Sequence, residues 1–169
     1  MIVKLSRQDE AQCQQASRMR YQMNRASNIQ QQRKAPKAAG NIELLGIRCE
    51  CAVARVLDVD FHPYHLGIDS GVDLFAGDIA IDVKGRNHGN GLIFQSKSRF
   101  KADVAVLVEA EGDALRIIGC ASKQRFFKSA ETRDFGHGEC AFLPDENLEP
   151  IERLWRLMTE RRVNERHSG

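Results

Sequence analysis

Asp73, Asp82 and Lys84 fall within the short run Gly71-Val-Asp-Leu-Phe-Ala-Gly-Asp-Ile-Ala-Ile-Asp-Val-Lys84-Gly85. Two carboxylates and an ammonium are the groups that a divalent cation and a phosphodiester require. Hard cations such as Mg²⁺ take oxygen ligands, and a nearby lysine can orient water or offset charge as it develops on a transferring phosphoryl group. The chemistry holds only if the three side chains share a face. Ile79-Ala-Ile-Asp-Val-Lys84 alternates as a strand does, so Asp82 and Lys84 lie opposite Ile79, Ile81 and Val83. A turn at Ala76-Gly77 makes the preceding segment the other arm of a hairpin. An even loop pairs Phe75 with Asp78 and sets Asp73 opposite Ala80, on the side of Asp82; an odd loop sends it to the wrong face.

A carboxylate can also arrive from a helix. Residues 41–57 have Asn41 as a suitable N-cap, and Ile42, Leu45, Cys49, Ala52, Val53 and Val56 recur at helical spacing. Glu50 borders that apolar stripe and can reach a site on the adjoining sheet. Glu43, two turns earlier, is its substitute. The plainer alternative is that both glutamates are solvated and pair with Arg48 or Arg55.

A Glu-bearing helix, then Asp73, then Asp82-x-Lys84 resembles the PD-(D/E)xK nuclease superfamily over residues 41–130. Val72 stands where the family pattern has proline. The resemblance implies a restriction-endonuclease-like core and a deoxyribonuclease that uses Mg²⁺ or Mn²⁺. Asp73, Asp82, Glu50 and the backbone carbonyl of Val83 would be metal ligands. Glu50, Asp73, Asp82 and Lys84 would be the catalytic set, Lys84 orienting the attacking water. A Holliday-junction-resolvase-like homodimer and a non-catalytic nucleic-acid-binding module with the same fold are the alternatives.

The cations are unevenly placed, although the formal net charge is only +2. Residues 11–42 carry Arg18, Arg20, Arg25, Arg33, Lys34 and Lys37 and no acidic residue. With neither glycine nor proline from Ser6 to Arg33, a helix capped by Ser6 is expected, and the run 34–40 reads as a linker. Its apolar stripe is thin, so the helix reads as a basic arm for nucleic acid, the other reading being a solvated helix that packs for stability. The chain therefore divides into an arm and linker, 1–40, and a nuclease-like domain, 41–169. Arg86, Asn87 and His88 in the polar loop after Lys84, and Lys97 and Arg99 beyond it, are further candidates for phosphate contact.

The remaining elements support one α/β domain of ordinary size for its 169 residues. Residues 103–109 read as a buried strand, 115–120 as its hairpin partner, 123–130 as a helix capped by Ser122, and 150–158 as a helix burying Ile151, Leu154, Trp155 and Met158. A poorly patterned strand is expected within 58–66. The result is a mixed four- to five-stranded sheet flanked by helices, with an extra basic helix at the N-terminus. Five cysteines without C-x-x-C spacing argue against a zinc site and a disulfide framework. With no signal peptide and no membrane-length apolar run, the reading is a cytoplasmic protein.

Overall fold

The computed structural model describes residues 1–26, 36–63, 71–136 and 138–167. The chain order is β1 (Ile2–Val3), α1 (Arg7–Ala26), α2 (Pro36–Leu57), β2 (Leu74–Ala76), β3 (Ile79–Arg86) and β4 (Gly91–Phe94). There follow a 3₁₀ turn at Lys97–Arg99, β5 (Val104–Glu111), β6 (Ala114–Ser122), α3 (Lys123–Ser129), β7 (Glu131–Asp134), β8 (Glu139–Pro144) and α4 (Ile151–His167). A five-stranded mixed sheet is ordered β1-β6-β5-β3-β2, and a three-stranded sheet β4-β8-β7. β3 and β5 run parallel, and their neighbours pair antiparallel.

Strand alternation assigns the two faces. Ile79, Ile81, Val83, Val106 and Val108 pack with Cys49, Ala52 and Val53 of α2 and with Ile151, Leu154 and Met158 of α4. Ala105 and Leu107 point the other way, into a core with Leu92 and Phe94 of β4, Leu143 of β8 and Phe126 of α3. The large sheet is thus covered by helices on one side and by the small sheet and α3 on the other. Burial pushes the Cys49 thiol up to about 12, and that of Cys120 likewise to about 12. Both stay neutral and pack as small apolar groups.

α1 is fastened to α2. Cys13 and Ala16 form a small core with Ile47 and Cys51, and ion pairs run along the seam, Arg48 to Glu10 at 2.8 Å and Arg55 to Asp9 at 2.6 Å. Ser6 caps α1 as expected, its Oγ accepting from the Asp9 amide at 3.1 Å, while the Ser6 amide donates to Asp9 Oδ2 at 3.2 Å. Burial alone would raise the Asp9 carboxyl. The hydrogen bonds from Arg55 and Ser6 outweigh it and hold the group below the usual carboxylate range.

Several expectations are corrected. α2 begins at Pro36, so residues 36–40 are helical rather than linker; proline suits a first helical position because its missing N–H needs no partner there. The described part of 58–66, residues 58–63, holds no strand. Ile42 and Trp155 are exposed, at 56% and 52%. They lie on the solvent side of helices whose burial is set by the sheet. Arg33 and Lys34 fall outside the described residues, as do the side chains of Arg25 and Lys37. None of the described helices is long and apolar enough to cross a membrane.

Two outcomes follow. A Cβ on Gly119 would fall 2.7 Å from the Glu149 carbonyl oxygen, where Cys120 and Glu149 exchange backbone hydrogen bonds of 2.7 and 2.8 Å. Gly119→Ala should destabilise by about 1–3 kcal/mol, read from urea unfolding. The depressed Asp9 carboxyl contributes stability that is present above its unfolded value of about 4 and lost as pH falls through its folded value. Asp9→Asn should lower stability at neutral pH and flatten its fall below pH ~4; an unaltered acid limb would show that the Arg55 link contributes nothing.

Candidate functional site on strand β3

The site is built from β3 outward. Ile81 and Val83 face α2, and a Cβ on Gly85 would sit 2.8 Å from Cys49 Sγ on that same side. Asp82 and Lys84 therefore face away from α2, level with Ala105 and Leu107 of β5. The Asp82 side chain is only 2% exposed, against 37% for Lys84, and Lys84 Nζ lies 2.6 Å from Asp82 Oδ1. The same ammonium stands 5.1 Å from the centre of the Phe94 ring, within cation–π range. The lysine thus spans a buried carboxylate and the surface, with an aromatic wall beneath its charge.

Asp73 approaches from the strand edge. The hairpin loop is Gly77-Asp78, because Ala76 pairs with Ile79, Phe75 with Ala80 and Leu74 with Ile81. This is two residues away from the expected register. The regular ladder stops at the Leu74–Ile81 pair, so Asp73 joins the hairpin outside it and not opposite Ala80. Ala80 exchanges its backbone bonds with Asp103, its oxygen accepting from the Asp103 amide at 2.9 Å and its amide donating to Asp103 Oδ2 at 2.9 Å. The alternate residues Ile81 and Val83 must then present their backbone groups toward β2. Ile81 O accepts from the Asp73 amide at 2.8 Å. β2 has only three residues, and the Val83 amide lies beyond its reach. Asp73 Oδ2 takes that amide at 2.6 Å, standing in for a strand partner. The Val83 carbonyl points to the same edge.

Glu50 lies on α2, which covers the opposite face of the sheet from Asp82. Its carboxylate accepts from Arg20 of α1, Nη1 to Oε1 at 3.3 Å and Nη2 to Oε2 at 3.2 Å, while Arg20 Nε donates to the Pro63 carbonyl at 3.1 Å. A bidentate guanidinium on a carboxylate with 10% exposure is a strong link between the two helices. Reading the sequence pointed to Arg48 and Arg55 as partners for Glu50 because they are its neighbours on the helix. Arg20 is 30 residues away, and nothing local signals it.

The structure thus sets Lys84 against Asp82 on β3, joins Asp73 to the Val83 amide of the same strand, and ties Glu50 to α1. Among the described residues, no three His, Cys, Asp or Glu side chains converge closely enough to hold a metal ion. Of the phosphate-contact candidates, Arg18, Asn87, His88 and Arg99 are exposed. Lys97 Nζ donates to the Phe127 carbonyl at 2.7 Å. Arg86 is a strut: its side chain is 12% exposed and pairs at 2.6 Å with both Glu109 and Asp145. Burial raises the Glu109 carboxyl, but hydrogen bonds from Arg86 and Arg116 prevail and hold it low.

No family model, curated protein or solved structure matches the chain. The family resemblance therefore rests on the residues named above.

Asp73 combines a backbone role with its place beside Asp82, and two substitutions separate them. Asp73→Ala leaves the Val83 amide without its acceptor and should cost about 1–3 kcal/mol. Asp73→Asn keeps an acceptor of the same shape and should retain most of that stability. Equal losses in urea titrations would mean that the Val83 bond does not matter to the fold.

Proposed function

We propose that the protein is a metal-dependent nuclease that hydrolyses phosphodiester bonds in DNA. The observation that carries the reading is the buried Asp82 carboxylate, held on β3 beside Lys84, on the strand whose Val83 amide donates to Asp73. All the donors there are oxygens, which suits Mg²⁺ or Mn²⁺. Mg²⁺ is commonly held by one or two carboxylates, with water and substrate phosphate oxygens completing its shell. Asp82, Asp73 and the Val83 carbonyl are the groups that would hold it; when bound, such an ion supplies Lewis-acid stabilisation and a more acidic water.

The chain's own groups do the rest. Asp82 presents a carboxylate whose direction is locked by β3. Asp73 is oriented by the Val83 amide, so both side chains are pre-positioned rather than recruited. The Lys84 ammonium is half-exposed and can turn from Asp82 toward a phosphate oxygen, where it would offset negative charge as the phosphorus becomes five-coordinate. Glu50 is assigned to the stability of the α1–α2 seam.

A specific observation favours a second reading, a nucleic-acid-binding module without catalysis. Asp82 is in contact with Lys84, Asp73 with a backbone amide and Glu50 with Arg20, an arrangement that also serves stability alone.

The test is cleavage of labelled single-stranded, duplex and branched DNA with Mg²⁺ or Mn²⁺. Asp82→Asn and Lys84→Ala should each lower the rate by at least a hundredfold, in line with removal of a principal electrostatic group, while circular dichroism shows a folded chain. Cleavage by purified Asp82→Asn at the parent rate would end the nuclease reading. A folded parent protein that binds DNA but cuts none with either ion would favour the binding module.

A further inference from the structure

The aromatic wall under Lys84 continues to the surface. The Phe94 ring stacks on Phe100, centres 4.7 Å and planes 5° apart, and both meet Phe126 edge-on, at 5.1 and 5.4 Å. Phe126 is buried, whereas Phe127, next to it on α3, is 42% exposed. Basic residues flank this ring on α3: Lys128 follows it in the chain, and Lys123 lies one helical turn before it. Lys97 Nζ donates to the Phe127 carbonyl at 2.7 Å, and Lys123 Nζ to the Lys101 carbonyl at 3.2 Å. These bonds draw the 3₁₀ turn and α3 together. They set Lys97, Arg99 and Lys101 of the turn segment alongside Lys123 and Lys128 of α3, the helix that carries the exposed ring.

The cluster also borders the β3 site. A Cβ on Gly71, two residues before Asp73, would lie 3.3 Å from Lys101 Cβ and Cγ and 3.8 Å from the Arg99 carbonyl oxygen. Two acidic side chains on the flanking segments are already committed: Asp103 accepts from the Ala80 amide at 2.9 Å, and Glu131 pairs with Arg133 at 3.0 Å. Positive charge around an accessible aromatic face is complementary to one ligand class. A single strand offers phosphates to the lysines and an unstacked base to the ring. A duplex offers the phosphates alone, because its base faces are covered by their neighbours.

We propose that the surface formed by Lys97, Arg99, Lys101, Lys123, Lys128 and Phe127 binds single-stranded DNA, with a base stacked on Phe127, and leads the strand past Gly71 to Asp82 and Lys84. Only the delivery to Asp82 and Lys84 rests on the nuclease reading. Binding itself requires no cleavage.

The experiment is fluorescence anisotropy with labelled single-stranded DNA, duplex DNA and single-stranded RNA of equal length. The full chain is used in EDTA, so that no strand is cut. Single-stranded DNA should bind at least tenfold more tightly than duplex. Phe127→Ala should weaken single-strand binding about tenfold, the usual scale for one stacked base, and change duplex binding less than twofold. If Phe127→Ala does not fold, Phe127→Leu keeps the apolar bulk without the π-face and should show the same selective loss. Replacing Lys101 and Lys128 together by alanine should flatten the slope of log affinity against log salt by about 1.4, two single-strand phosphate contacts. Unchanged affinity and slope in folded variants would overturn the proposal, as would duplex binding that equals single-strand binding. RNA bound as tightly as DNA and lost in the same variants would overturn the assignment to DNA. Cleavage is scored separately. Selective binding without cleavage leaves this surface standing and removes the nuclease reading, whereas cleavage with unaffected binding does the reverse.

Discussion

A carboxylate buried in the middle of a sheet must be compensated, and the arrangement around Asp82 follows from that need. Its side chain is 2% exposed, and water cannot solvate it there. The Lys84 ammonium supplies opposite charge at 2.6 Å, because residues two apart on a strand share a face. The ammonium in turn is seated against Phe94, which belongs to the small sheet. Phe94 is held by Phe100 and Phe126, so α3 and the 3₁₀ turn are part of the same support. What looks like an accessory sheet is the wall that keeps the charged pair in place. An ion pair of this kind is weak support for stability in itself, since desolvation opposes its Coulombic gain. The buried residues on the face around it are otherwise Leu, Ala and Phe.

The other side of the molecule uses its charges differently. Three arginine–carboxylate pairs cross between α1 and α2: Arg20 with Glu50, Arg48 with Glu10 and Arg55 with Asp9. They surround a core of only Cys13, Ala16, Ile47 and Cys51 with neighbouring apolar groups. Such a small apolar contact would hold a 20-residue helix poorly on its own. The described part of the basic segment is therefore integral to the fold. Removing α1 would uncover Ile47 and Cys51, and it would leave Glu50 without its guanidinium. Arg18, exposed on the same helix, is not bound by that constraint.

Legibility in the sequence followed the range of the interaction. Strand alternation at Ile79–Lys84, the β5–β6 turn at Gly112 and the Ser122 cap of α3 were all readable, because each depends on residues within a few positions. The hairpin register differs by two residues, because the loop falls at Gly77-Asp78 and not at Ala76-Gly77. The mixed α/β class was readable as well. The small sheet was not. β4 has four residues, and every residue of β7 is exposed, so neither carries an apolar period. β1, two residues long, had no pattern to find. Trp155 looked buried because the helical stripe allowed it, but α4 meets the sheet through Ile151, Leu154 and Met158. Arg20 and Arg86 looked like phosphate ligands from composition. Their partners, Glu50, Glu109 and Asp145, are distant in sequence and visible only in the fold.

β2 is too short to cover the edge of β3. A longer strand would pair with Val83 and close the edge. With β2 beginning only at Leu74, the Val83 amide falls to the Asp73 carboxylate, and the Val83 carbonyl faces the same edge. One break in a ladder thus gives the Asp73 carboxylate a backbone donor that orients it and leaves the Val83 main-chain oxygen at the same edge. Gly71, just before the break, is held against Lys101 with a φ of 73°, a backbone region that glycine tolerates best. The chain therefore reaches the edge of β3 along the cationic turn that follows β4. The acidic edge and the basic surface are adjacent by packing, with Gly71 lying against the Lys101 side chain. A polyanion drawn to the lysines would arrive beside Asp82, and Lys84, half-exposed between them, is the first internal cation it would meet.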